Sequence, residues 1–140
     1  MWVISDEIHC DLLRRDQKHI PLGKVMPDYK RLITCMAPIK TFNLAGMMIS
    51  NIIIRDEGLR AVWLDRHYNF DNPLSIAAAQ AAYEKGEPWL EELRIYLDEN
   101  FRLTGEYLRE NLPKAKYLPS EATYLAWVDL KEYFEPDENL

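Results

Sequence analysis

At 140 residues the chain is about one domain long, and its apolar and charged fractions, 48% and 29%, are those of an ordinary soluble protein. A net charge of −6 with no basic stripe argues against a nucleic-acid partner. Two cysteines, Cys10 and Cys35, make no disulfide framework and point to a reduced, cytoplasmic setting.

The first element is a strand. Met1-Trp2-Val3-Ile4 is apolar, has no leading polar segment, and meets acid at Asp6, too soon for a signal peptide. The acid-rich stretch 6–16 reads as a loop or short helical turn, with His9, Leu12 and Leu13 facing inward. Pro21-Leu22-Gly23 and Pro27-Asp28 carry turn chemistry. Residues 31–37 read as a largely apolar strand buried on both faces, ended by Pro38, so that Lys40 sits on the connection and not in the ladder. Gly46 is expected to serve a close backbone approach or an unusual φ. Residues 50–55, rich in isoleucine, form the next strand, antiparallel to 31–37 because the connection is short. The apolar stretch around 44–54, interrupted by Ser50 and Asn51, falls well short of the roughly 20 residues a membrane span needs.

Asp56-Glu57-Gly58 starts a helix whose inner stripe is Leu59, Val62, Trp63 and His67. Asp71-Asn72-Pro73 caps a second, alanine-rich helix that reads as closely packed and buried. From Glu87-Pro88-Trp89 a long helix runs to about Leu112, with Leu90, Leu93, Leu97, Phe101, Leu108 and Leu112 recurring near every 3.6 residues until Pro113 stops it. At about 36 Å it suits a strut between domains. A short extended piece at 116–118, a turn at 119–122, a strand over 123–130 with an aromatic face and a loose acidic end at 135–140 complete the chain. His9, Cys10, His19, Cys35 and His67 show no paired ligand spacing, so no metal site is read.

Asp6 closes one strand and Lys40 lies just past the next. An amine that can join an aldehyde and a carboxylate that can keep a pyridine nitrogen protonated are what a pyridoxal phosphate site needs. Four segments carry a wider resemblance: Val3-Ile4-Ser5-Asp6-Glu7-Ile8-His9, Lys40-Thr41-Phe42-Asn43-Leu44-Ala45-Gly46, Ser50-Asn51-Ile52-Ile53-Ile54, and Glu121-Ala122-Thr123-Tyr124-Leu125-Ala126-Trp127-Val128-Asp129. In this order they resemble the fold-type I, pyridoxal phosphate-dependent class I/II aminotransferases, and within them the cystathionine β-lyase-like C–S lyase branch, which includes the maltose-regulon modulator type.

The resemblance implies an α/β fold: part of the mostly parallel sheet of the large cofactor-binding domain, then the start of a small α+β C-terminal domain. Residues 1–70 would end the large domain, 71–112 would be connecting helices and 113–140 would begin the small one. Lys40 matches the Schiff-base lysine, whose free amine later removes the substrate Cα proton. Asp6 matches the partner of the ring nitrogen, and Ile8 the residue packed on a ring face. His9 falls where many relatives bond the ring hydroxyl. Ile39 stands where members commonly carry a hydroxyl residue near the phosphate, and Met47 and Met48 where many carry an arginine. The remaining phosphate and substrate-carboxylate ligands would lie before Met1 and after Leu140. The implied substrate is an amino acid, undergoing cystathionine-like β-elimination or transamination in a homodimer. The alternative is a non-catalytic piece that only packs or self-associates, and weak or no turnover is expected from these residues alone.

Overall fold

The computed structural model describes residues 1–67 and 72–135. The expected cap contribution of Asp71 and the acidic end beyond Glu135 lie outside the described residues. The fold is α/β, as expected, and the chain divides into two compact units: Met1–Asp11 with Lys18–Leu90, and Leu12–Gln17 with Glu91–Leu140.

The first unit is built on a three-stranded sheet in the order β1-β2-β3, with β1 at Val3–Asp6, β2 at Leu32–Met36 and β3 at Asn51–Ile54. β1 and β2 run parallel, pairing Val3 with Leu32 and Asp6 with Cys35. β3 returns antiparallel to β2, pairing Met36 with Asn51 and Ile33 with Ile54. Isoleucine, valine and threonine fill these ladders because branched side chains suit a pleated surface. The expectation that β2 is buried on both faces is corrected. Leu32 is buried, but Ile33, Thr34, Cys35 and Met36 are half-buried. Its backbone is paired on both sides while its side chains are covered incompletely.

Between β1 and β2 lies the single helical turn α1 (Leu22–Val25). Arg55 fastens it, giving Nη2 to the Gly23 carbonyl at 2.7 Å and Nη1 to the carbonyls of Met26 and Pro27, both at 2.8 Å. A Cβ on Gly23 would stand 2.7 Å from that Nη2, so glycine lets the guanidinium approach. After β2 the chain turns through α2 (Pro38–Thr41), with Pro38 at its start, where a missing N–H costs nothing. The unusual backbone of the next stretch is not at Gly46, which has ordinary φ and open space around it. It falls at Asn43 and Met48, with φ of 54° and 50°.

Helix α3 (Glu57–Arg66) begins at Asp56, whose carboxylate accepts the Leu59 N–H at 2.8 Å. Its expected inner stripe is corrected: no residue of α3 is buried, Leu59 and Trp63 are half-buried, and Val62 is exposed. The exposed His67 stacks face-to-face on Trp63 at 3.7 Å, so the two rings, four residues apart, cover each other. Helix α4 (Pro73–Lys85) is capped by Asn72, which accepts from Leu74 N at 2.9 Å. It too is less buried than expected. Only Ser75 and Ala79 are buried, and the Ser75 hydroxyl donates to the Met47 carbonyl at 2.6 Å. Small side chains give close approach along one stripe and leave Leu74, Ile76 and Tyr83 exposed.

Helix α5 (Glu87–Asn111) matches its expected span. Its first turn belongs to the first unit, where Leu90 is buried, and the rest to the second. In the second unit Phe101 is buried, and the Arg14 guanidinium lies over its ring at 3.7 Å from the centroid. Arg14 also donates to Asp98 at 2.8 Å and to the Ser120 carbonyl at 3.0 Å. The short segment around Leu13 bridges antiparallel to Ala122, with Thr123 N donating to the Leu12 carbonyl at 2.6 Å. A two-stranded ribbon of β4 (Lys116–Tyr117) and β5 (Val128–Asp129) completes the unit. The strand expected over 123–130 is thus reduced to two residues. Thr123 takes φ of 68° and its hydroxyl accepts the Leu125 N–H at 3.1 Å, a local turn that competes with a ladder.

Candidate functional site

Because β1 and β2 are parallel, their C-terminal ends share one edge of the sheet. Asp6 is the last residue of β1, and α2, which carries Lys40, begins two residues after β2 ends. Open α/β sheets bind ligands outside the carboxyl ends of their strands. Both residues singled out from the sequence therefore lie at that edge. Ile8 and His9 sit in the turn that follows Asp6, and both are half-buried.

The two groups differ in setting. Asp6 is exposed, and its Oδ1 accepts the Ile8 N–H at 3.2 Å, which orients the carboxylate along the turn. Lys40 is half-buried and has no hydrogen-bond or ion-pair partner among the described residues.

Three further residues that sequence reasoning passed over hold this edge together. Glu7, next to Asp6, is buried, its side chain only 4% exposed. It accepts from His19 Nε2 at 2.8 Å, from Ser5 Oγ at 3.0 Å and from the Leu22 N–H at 3.1 Å. Burial raises its pKa, but the hydrogen bonds from His19, Leu22 and Ser5 outweigh that and hold it below the ordinary 4.5. A signal for Glu7 was present: Val3 and Ser5 face inward along β1, and period two puts residue 7 on the same face. Thr41 is fully buried, and its hydroxyl donates to Asp11 Oδ2 at 3.0 Å, joining α2 to the turn after β1. No sequence pattern marks that bond.

Phe42 braces the other side of the lysine. Its ring meets Tyr83 edge-on at 6.4 Å and lies 5.8 Å from Trp89. A Cβ on Gly86 would stand 2.4 Å from the Phe42 ring, so that position must be glycine for the ring to seat. Tyr83 is itself held by Asn51 Nδ2 at 2.9 Å. Cys10 offers no competing nucleophile. Burial and the nearby negative charges of Asp11 and Glu7 push its thiol up to about 11, so it stays protonated. Among the described residues no helix is long and apolar enough to cross a membrane.

Known proteins are similar to this chain in sequence and in fold. The cystathionine beta-lyase PatB of Bacillus subtilis (strain 168) is 41% identical over 143 residues, a match covering 99% of this chain and 37% of the relative. Protein MalY of Escherichia coli (strain K12) is 35% identical, over 92% of this chain and 34% of the relative. The crystal structure of the PLP-bound C-S lyase from Staphylococcus hominis superposes with a TM-score of 0.93 at 53% identity, over 95% of this chain and 34% of that one. The chain thus spans about a third of the length of the relatives it matches. The profile of aminotransferase class I and II matches residues 1–138, and the chain belongs to that family.

Proposed function

We propose that this chain carries the lysine-bearing part of a pyridoxal phosphate-dependent C–S β-lyase, which eliminates the sulfur substituent of a cysteine conjugate such as cystathionine. The observation that carries the reading is the edge shared by Asp6 and the one-turn helix of Lys40. The residues present fit the cofactor. Lys40 offers an amine without a partner, and Asp6 Oδ2 is likewise unpartnered among the described residues. The similarity to a PLP-bound C-S lyase supports the same assignment.

When bound, pyridoxal phosphate supplies an electron sink for charge that builds at the substrate Cα. Lys40 Nζ would hold the cofactor covalently, and its free amine would be the base for the Cα proton. Asp6 would keep a proton on the ring nitrogen, and Ile8 and His9 would be the residues that pack on the ring and meet its hydroxyl. Ile39 has no hydroxyl, so residue 39 gives the phosphate no side-chain donor. Glu7 takes no part in proton transfer and fixes the backbone on which Asp6 stands. Residues 1–70 form the end of the large domain, 71–112 the connecting helices and 113–140 the beginning of the small one. Turnover is the property of a protein of the relatives' length, acting on amino acids as a homodimer.

The test is the visible absorbance that pyridoxal phosphate gains on joining an amine, recorded with this chain and with Lys40→Ala. The expected result is a band with the unmodified chain and none with the variant. Bands of equal strength in both would overturn the assignment of Lys40.

A further inference from the structure

Helix α2 is a single turn of four residues, too short to hold its own shape by helical hydrogen bonds. Something outside it must fix the root of Lys40. Phe42, seated against Tyr83, Gly86 and Trp89, supplies a brace two residues after the lysine. The nearer brace is Thr41, fully buried, whose hydroxyl reaches Asp11 Oδ2 at 3.0 Å. Asp11 ends the turn that begins directly after Asp6 and Glu7. That turn is fastened to the sheet at its start, where Glu7 N donates to the Cys35 carbonyl at 2.8 Å. One side-chain bond across thirty residues therefore ties the turn after the carboxylate strand to the helix of the amine.

We propose that Asp11 and Thr41 are positioning residues that set the placement of Lys40 relative to the strand edge bearing Asp6. The proposal rests on the reading of Lys40 as the cofactor anchor. Asp11 and Thr41 act through the backbone of residue 40, and the hydrogen bond to a carboxylate is of the stronger, charge-assisted kind. Misplacing a reacting atom by about 1 Å can cost about a hundredfold in rate, so a partial loosening of α2 should cost about tenfold.

The experiment uses pyridoxal phosphate with borohydride trapping on the folded chain, followed by peptide mapping. Lys24 and Lys85, both exposed, serve as internal references for general amine reactivity. In the unmodified chain Lys40 should be trapped in preference to both. Thr41→Val keeps the shape and removes the donor, and should lower the ratio of Lys40 to reference trapping about tenfold. Thr41→Ser restores the donor and should return the ratio to within about twofold. A merely structural role would lower stability without changing this ratio or its rescue. If Thr41→Val does not fold, Asp11→Asn is decided by the same ratio, which should fall severalfold. A preference for Lys40 that is unchanged by these substitutions overturns the positioning role and leaves the anchor assignment standing. No preference for Lys40 in the unmodified chain overturns both.

Discussion

Glu7→Ala is expected to destabilise the chain by about 3 kcal/mol, read as a lower urea midpoint with unchanged slope. The carboxylate is buried and accepts from three donors: the His19 ring, the Ser5 hydroxyl and the Leu22 N–H. Truncation leaves those donors without their acceptor and opens a polar void behind Asp6. Against a total stability of about 5–15 kcal/mol this is a large share. Glu7→Gln keeps an acceptor and most of the volume, so it should cost less. The sign of the pH dependence follows from the direction of the shift. Glu7 is held below 4.5 in the folded chain, so the unfolded chain binds more protons in the acid range. Its contribution is full above the unfolded value and is lost as pH falls through the folded one. Thermal melts across that window should show a steep acid limb in the unmodified chain and a flatter one in Glu7→Gln. Equal limbs in both would remove Glu7 from the account.

Phe101→Ala is expected to cost about 3–5 kcal/mol, the range for emptying a buried aromatic site. Phe101 is 5% exposed, and the Arg14 guanidinium rests on its ring at 3.7 Å. Losing the ring removes core volume and the surface on which that cation stacks, a contact worth about 1 kcal/mol by itself. Phe101→Leu keeps apolar volume and should recover more than half of the loss. Denaturant melts of the three chains check this, and an alanine variant within about 1 kcal/mol of the parent would contradict it.

Several elements were legible from local chemistry. Helix α5 ends at Asn111 because its apolar residues keep a 3.6 period until Pro113 removes a donor. Pro38 places Lys40 outside the ladder for the same reason, and the short connection after it makes β3 antiparallel to β2. Helix α3 begins at Asp56, where a carboxylate can cap. What was not legible depends on contacts distant in sequence. Thr123 reads as a strand residue by propensity, but a left-handed φ and a side-chain turn end the ladder there. Val62 and His67 fit an inner stripe by spacing, yet a stripe faces inward only where another element covers it.

The candidate site divides in the same way. Asp6 and Lys40 stood out because each adjoins a strand end, and parallel pairing of β1 with β2 sets both at one edge. Glu7 drew no reading of its own beside Asp6, although strand alternation turns it inward. Thr41 and Asp11 meet across thirty residues, a contact that no local pattern carries. The supports of the site were thus harder to read than its chemical groups.

In the proposed function the Asp6 carboxylate serves the ring nitrogen of a cofactor held on Lys40. The nitrogen NMR shift of ring-labelled pyridoxal phosphate, carried on Lys40 above neutral pH, reads this directly in the unmodified chain and in Asp6→Asn. A protonated ring nitrogen in the first and a deprotonated one in the second is the predicted result. The same shift in both chains would contradict it.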